Sequence, residues 1–350
     1  MKSSKTFVAI PPGETIKEML IGRNMTQKEF SMRLDISEKH LSHIINGEVL
    51  LTYEMAEKLE SVFGVSARFW NNLEAIYRET LLKIDEENEF ISEKNYLKKF
   101  PYSEMVKNGF IKLYTTIKEK IYSLRQFFEV ANLNLLEKEK LLPQIACRRL
   151  CITDKTDNIV LVLAQKAKLE ARNIVTKPIS IKKLVSILPL IRNMTTRLPA
   201  EFSANLVKVL SDCGIALVFL PNIKGSFLHG VTFKDKNKII IGITMRGKDS
   251  DKFWFSLFHE IGHVVLEHLN KPYGLEKCDE MQADRFSSDN LIPSFSFNAF
   301  VNEHIFTKQS INQFAHNEGI HTGIIVGRLQ KEGYISYSKF NDLKLKYDLE

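Results

Sequence analysis

Long apolar runs are missing from this 350-residue sequence. None approaches the roughly 18 apolar residues of a membrane span. The opening "MKSSKTFVAIPPGE" carries two lysines but no apolar core of the kind a signal peptide needs. Neither membrane insertion nor export is therefore expected, and the expected location is the cytoplasm. Cysteine is scarce as well: Cys147, Cys151, Cys213 and Cys278 make no disulfide framework in a chain this long, which fits a reducing compartment. Cys147 and Cys151, four apart in "CRRLC", can share a helix face. No second Cys or His pair follows to complete a metal site, so they read as buried thiols. Internal repeats and low-complexity tracts are absent too.

A basic excess is lacking at the N-terminal end. Residues 1–80 carry 10 Lys+Arg against 11 Asp+Glu, residues 81–200 carry 22 against 13, and residues 201–350 carry 17 against 18. The net charge of +7 thus belongs to the middle of the chain. That field either steers the protein towards DNA or an acidic partner, or is simply a solvated lysine-rich helical surface.

Capping residues and closing Gly or Asn predict helices over Glu14–Gly22, Thr26–Leu34, Ser37–Asn46, Thr52–Phe63 and Ser66–Glu79. The acidic "DEENE" at 85–89 reads as solvated helix surface or a linker. Residues 94–198 are mixed and mostly helical, punctuated by prolines. After Pro199 come an amphipathic helix, three β-rich runs ("IALVFL", "GVTF", "KIIIGI") and further helices, the order of a small α+β domain.

"FHEIGHVVLEH" holds the first chemistry-bearing pattern. His259 and His263 are four apart, so a helix places both imidazoles on one face, with Glu260 beside them. This is HExxH: two zinc ligands and a carboxylate that activates water. With 9 His and 42 acidic residues, chance supplies such a motif roughly 0.03 times per chain, so a third ligand is needed as support. Leu266 and Leu269 stand where the metzincin pattern needs Gly and His. "EMQAD" instead resembles the E-x-x-x-D pattern of the glutamate-type zincins, which implies Glu280 as third ligand and Asp284, one turn on, as the acid that hydrogen-bonds a ligand histidine. Glu267 and His268 match no third-ligand offset and read as surface groups. Cys278, two residues before Glu280, reads first as a packing thiol.

These pieces, with "GIALVFLP", "LHGVTF" and "INQFAHNEGIHTGIIVGRLQKEGYI", make the segment from about 202 onward resemble the ImmA/IrrE metallopeptidases. The resemblance implies a zincin-like fold, Zn²⁺ on His259, His263 and Glu280, Glu260 as general base, and repressors with helix-turn-helix domains as substrates. The family's usual Asn is Asp284 here, which keeps an acceptor. No motif fixes the general acid. His321 is the candidate, with His316 and Tyr334 behind it; the alternative for His321 is a surface residue at a helix N-terminus.

In "TQKEFSMRLDISEKHLSHIINGE", Phe30, Leu34, Leu41, Ile44 and Ile45 form the inner face of two helices joined at "DIS". Lys39, His40, Ser42 and His43 remain for the major groove, while Gln27 and Ser37 sit where helix N-termini meet phosphates. A small bundle making only protein contacts is the alternative. With its flanks, residues 10–80 resemble HigA-type (Xre-like) antitoxins. The resemblance implies operator DNA, a toxin partner and a homodimer. A second helix-turn-helix outline, at 310–329, reads as part of the peptidase fold.

The expected protein is mainly α with a small α+β C-terminal domain. Residues 1–90 form a helix-turn-helix bundle, 91–199 a basic helical connecting segment, and 200–350 a zincin-like peptidase domain. The expected function is a DNA-binding regulator or antitoxin whose endopeptidase domain cleaves itself or a toxin or repressor partner. The alternative is a non-catalytic antitoxin-repressor using that domain for binding or sensing.

Overall fold

The computed structural model describes residues 2–137, 154–224, 226, 228–244, 249–271 and 276–347. Cys147 and Cys151 lie outside the described residues. The chain divides into two compact units, 1–95 and 96–350. No helix among the described residues is long and apolar enough to cross a membrane.

In the first unit a short ladder pairs β1 (Lys2–Ser3) with β2 (Val8–Ala9). Five helices follow: α1 (Pro12–Gly22), α2 (Gln27–Arg33), α3 (Glu38–Ile45), α4 (Tyr53–Phe63) and α5 (Ala67–Leu97). Thr26, Ser37 and Thr52 each accept a backbone N–H three residues on, which satisfies an orphan donor at the start of α2, α3 and α4. Helix α4 stops at Gly64, whose φ of 73° suits glycine. Ile16, Phe30, Leu34, Leu41, Ile45, Leu59 and Trp70 bury the facing stripes, with Phe30 stacked on Phe63 at 4.6 Å between ring centroids. At Gly13 a β-carbon would run into the Ile45 carbonyl, so glycine sets how closely α1 approaches α3.

Helix α5 corrects the expected stop at Glu79. No Gly or Pro follows before Leu97, and the acidic run is helix surface with nothing to break it.

The second unit opens with α6 (Tyr102–Lys107), α7 (Ile117–Phe128), α8 (Asp154–Ala171), α9 (Ile181–Asn193) and α10 (Pro199–Ser211). Three strands come next, β3 (Ile215–Leu220), β4 (Gly230–Asp235) and β5 (Lys238–Thr244). They lie in the order β3-β5-β4, with β3 parallel and β4 antiparallel to β5. The chain ends in α11 (Ser250–Val265), α12 (Lys277–Leu291), α13 (Ser294–Asn302), α14 (Lys308–Glu318) and α15 (Thr322–Lys331). Alternation sorts the β5 side chains: Ile239, Ile241 and Ile243 join the core containing Phe253, Trp254, Leu257 and Ile261 of α11. On the opposite face, the missing β-carbon of Gly242 would lie 3.2 Å from Ala167 of α8. Helix α11 is therefore held against a sheet backed by α8, with β4 at the sheet edge.

Candidate metal centre and DNA-reading helix

One face of α11 carries His259 and His263, and α12 brings Glu280 to meet them. The two Nε2 atoms are 3.0 Å apart, and the Glu280 carboxylate oxygens lie 3.4 Å from His259 Nε2 and 3.6 Å from His263 Nε2. Zinc bonds of ~2.0–2.2 Å at tetrahedral angles need donors about 3.4 Å apart, and two imidazoles plus a carboxylate are a catalytic zinc set with one position open. The donor set therefore fits zinc in chemistry and spacing. The close helix contact depends on Gly262, where a β-carbon would come within 3.0 Å of the Phe286 ring.

Glu260 projects from the same helix towards β4 and is buried. The Thr232 hydroxyl donates a hydrogen bond to its Oε2. Its Oε1 lies against Gly230, at which a β-carbon would overlap the carboxylate. Burial lifts the Glu260 pKa to about 7.

Each histidine has a partner on its far nitrogen. His259 Nδ1 is 2.9 Å from Asp284 Oδ1, and Asp284 in turn lies 3.4 Å from Lys331 Nζ. Burial disfavours the charged His259 imidazole, but hydrogen bonds to Asp284 and Glu280 outweigh it and raise the pKa to about 10. Burial also works against the Asp284 carboxylate, yet the His259 and Lys331 contacts bring it down to about 2. Burial and the His259 charge together pull His263 down to about 4.

His268 corrects the expectation of a surface group: it is 4% exposed, with Nδ1 3.0 Å from His263 Nδ1. The turn that delivers it runs through Glu267, at φ 58°. Nothing in the local sequence signals that left-handed residue, because neither Gly nor Asn stands there. Cys278 is exposed, its thiol near Glu276, and is not the packing thiol expected; Cys213 is buried.

His321 is not brought to this group. It caps α15, its Nδ1 accepting the Gly323 N–H at 3.0 Å, and burial lowers its pKa. A β-carbon on Gly323 would lie 3.2 Å from that nitrogen and 3.3 Å from Ser250 Oγ. Ser250 begins α11, nine residues or about 13 Å of helix before His259. His316 is exposed on α14, and the Tyr334 ring packs on Phe297 and Phe306.

In the first unit, Gln27 opens α2 and Ser37 caps α3, both exposed. Lys39 and His40 are exposed on α3, whereas Ser42 and His43 are half-buried. The chain turns at Gly47 (φ 70°), returning Glu48 so that its carboxylate meets His43 Nδ1. Lys39 and His40 are thus the more open pair.

Comparison with known families gives two matches. Residues 16–70 match the helix-turn-helix family, and residues 214–329 match the metallopeptidase family described as the IrrE N-terminal-like domain. A curated relative, the uncharacterized HTH-type transcriptional regulator YddM of Escherichia coli (strain K12), is 38% identical over 63 residues. That match covers 18% of this chain and 67% of the relative.

Proposed function

The chain belongs, through its N-terminal unit, to the helix-turn-helix transcriptional regulators, and we propose that its IrrE-like domain is a zinc-dependent endopeptidase serving that regulator. The observation that carries this reading is the convergence of His259, His263 and Glu280 beside the buried Glu260. Zinc held by the three supplies a Lewis acid that polarises the scissile carbonyl and makes the attacking water more acidic.

The chain's own groups do the rest. Thr232 occupies Oε2 of Glu260, leaving Oε1 to take the proton of the attacking water and pass it to the leaving amine. Asp284 holds the His259 proton on Nδ1, so that Nε2, on the Glu280 side, is the nitrogen that would ligate the metal. Strand β4 is the sheet edge beside α11, so an extended peptide can add to it as a further strand. The substrate in this account is the chain itself or a partner, a toxin or a repressor. Its DNA ligand is an operator, read by a homodimer through Lys39 and His40, as in HigA-type antitoxins.

Mass spectrometry of the zinc-loaded chain, alone and with a peptide library, tests the proposal. Wild type yields defined new termini, and Glu260→Gln keeps zinc but yields none. Equal cleavage by both proteins would refute the role of Glu260. A second reading, a non-catalytic antitoxin-repressor that uses the domain to bind or sense, is favoured by one observation. His321 stands away from the metal ligands, leaving Glu260 as the one proton-transfer candidate named from the sequence that lies beside them. Zinc without any cleavage by wild type would select it.

A further inference from the structure

We infer that His268 is a positioning residue that locks His263 in the tautomer able to ligate a metal, through a hydrogen-bond chain running from His263 to α12. The inference rests on the zinc reading above and concerns a residue outside the HExxH motif.

The direction of the chain follows from its ends. His263 Nε2 faces His259 and Glu280, so ligation requires it to be unprotonated and places the proton on Nδ1. Three ångströms away, at 3.0 Å, stands His268 Nδ1, which must then be the acceptor. The His268 proton is left on Nε2, and the groups there are acceptors: Gln282 Oε1 at 3.1 Å and the Asp279 carboxylate at 3.7 Å. The Asp279 carboxylate stands beyond hydrogen-bond reach, but its negative charge favours an N–H on that side of the ring. Asp279 is itself fixed, with Oδ1 2.6 Å from Lys271 Nζ and Oδ2 accepting the Glu276 N–H at 2.9 Å at the start of α12.

The inner link is buried and the outer one is anchored on α12. His263 and His268 are 1% and 4% exposed, so water does not compete for the bond between them, whereas Gln282 at the outer end is exposed. The two ligand histidines are therefore held by different means. Asp284 holds His259 directly, whereas the His268 imidazole holds His263 and is itself held by Gln282. An imidazole ring spans the gap between α11 and α12 with a nitrogen at each side, which a carboxylate does not.

The test uses the full chain and Zn²⁺ itself, with affinity read by competition against a chelator and folding by circular dichroism. His268→Phe keeps a ring but removes both nitrogens; it should bind zinc about 10–100-fold more weakly while remaining folded. His268→Gln restores an acceptor for His263 and should recover most of the loss. Wild-type affinity in His268→Phe overturns the inference. Should that variant fail to fold, ¹⁵N NMR of the zinc-loaded wild type decides. Protonated Nε2 and bare Nδ1 on His268 are expected, and the opposite tautomer overturns it. Wild type that takes up no zinc at all overturns the zinc reading itself, which distinguishes that failure from one confined to His268.

Discussion

Gly230 on the edge strand and Glu260 on α11 meet so closely that a β-carbon at position 230 would overlap the carboxylate. Glu260 has little freedom to retreat, because it is buried and held by Thr232. Gly230→Ala should therefore displace the proposed base without touching a metal ligand. Peptide cleavage is expected to fall on the order of 10²-fold, as misplacement by about 1 Å does, with zinc content unchanged. Unchanged kcat/KM in a folded variant would contradict the role given to this contact.

His321 supplies a contrasting case. As the cap of α15 it contributes to stability through the Gly323 N–H. His321→Ala should cost about 0.5–2 kcal/mol in chemical denaturation. Its effect on cleavage should stay well under the ~10²–10⁴-fold expected for loss of a general acid or base. A larger loss of kcat, at normal zinc content, would return His321 to the chemistry.

The C-terminal unit should weaken in alkali. The Tyr347 hydroxyl accepts from Trp254 Nε1 at 2.9 Å, and burial pushes its pKa up to about 12, from the ordinary tyrosine value of about 10. The folded state thus holds this proton more tightly than the unfolded chain. The stability it contributes is fully present below pH about 10 and is lost as pH rises towards 12. Denaturation midpoints measured across that window should fall in wild type and fall less in Tyr347→Phe. Identical slopes in the two proteins would contradict the assignment.

On the DNA side, Lys39 is exposed near the start of the second helix of the motif. Lys39→Ala should weaken operator binding in fluorescence titrations. If Lys39 meets a phosphate, the salt slope should drop by about 1. Affinity and slope equal to wild type would exclude Lys39 from the interface.

What was legible in the sequence is what i, i+4 spacing carries. His259 with His263, and Glu280 with Asp284, each lie one turn apart on a helix, and their geometry follows from their own element. The caps Thr26, Ser37 and Thr52 were legible for the same local reason. Elements set by partners were not. The strand order β3-β5-β4 depends on which edge the chain returns to. His268 is buried because Glu267 adopts a left-handed conformation that no glycine announces. His321 shares a motif-like neighbourhood with helix starts elsewhere, and only the packing of α15 on α11 shows which end of α11 it faces. The length of α5 was missed because a stop was inferred where no breaker stands.

His259, His263 and Glu280 are proposed to hold one zinc ion. Elemental analysis of wild type and His263→Ala, both purified without chelator, tests this most directly. About one zinc per chain is expected in wild type, and its loss in the variant. Wild type that carries no zinc, even after zinc is offered, would contradict the proposal.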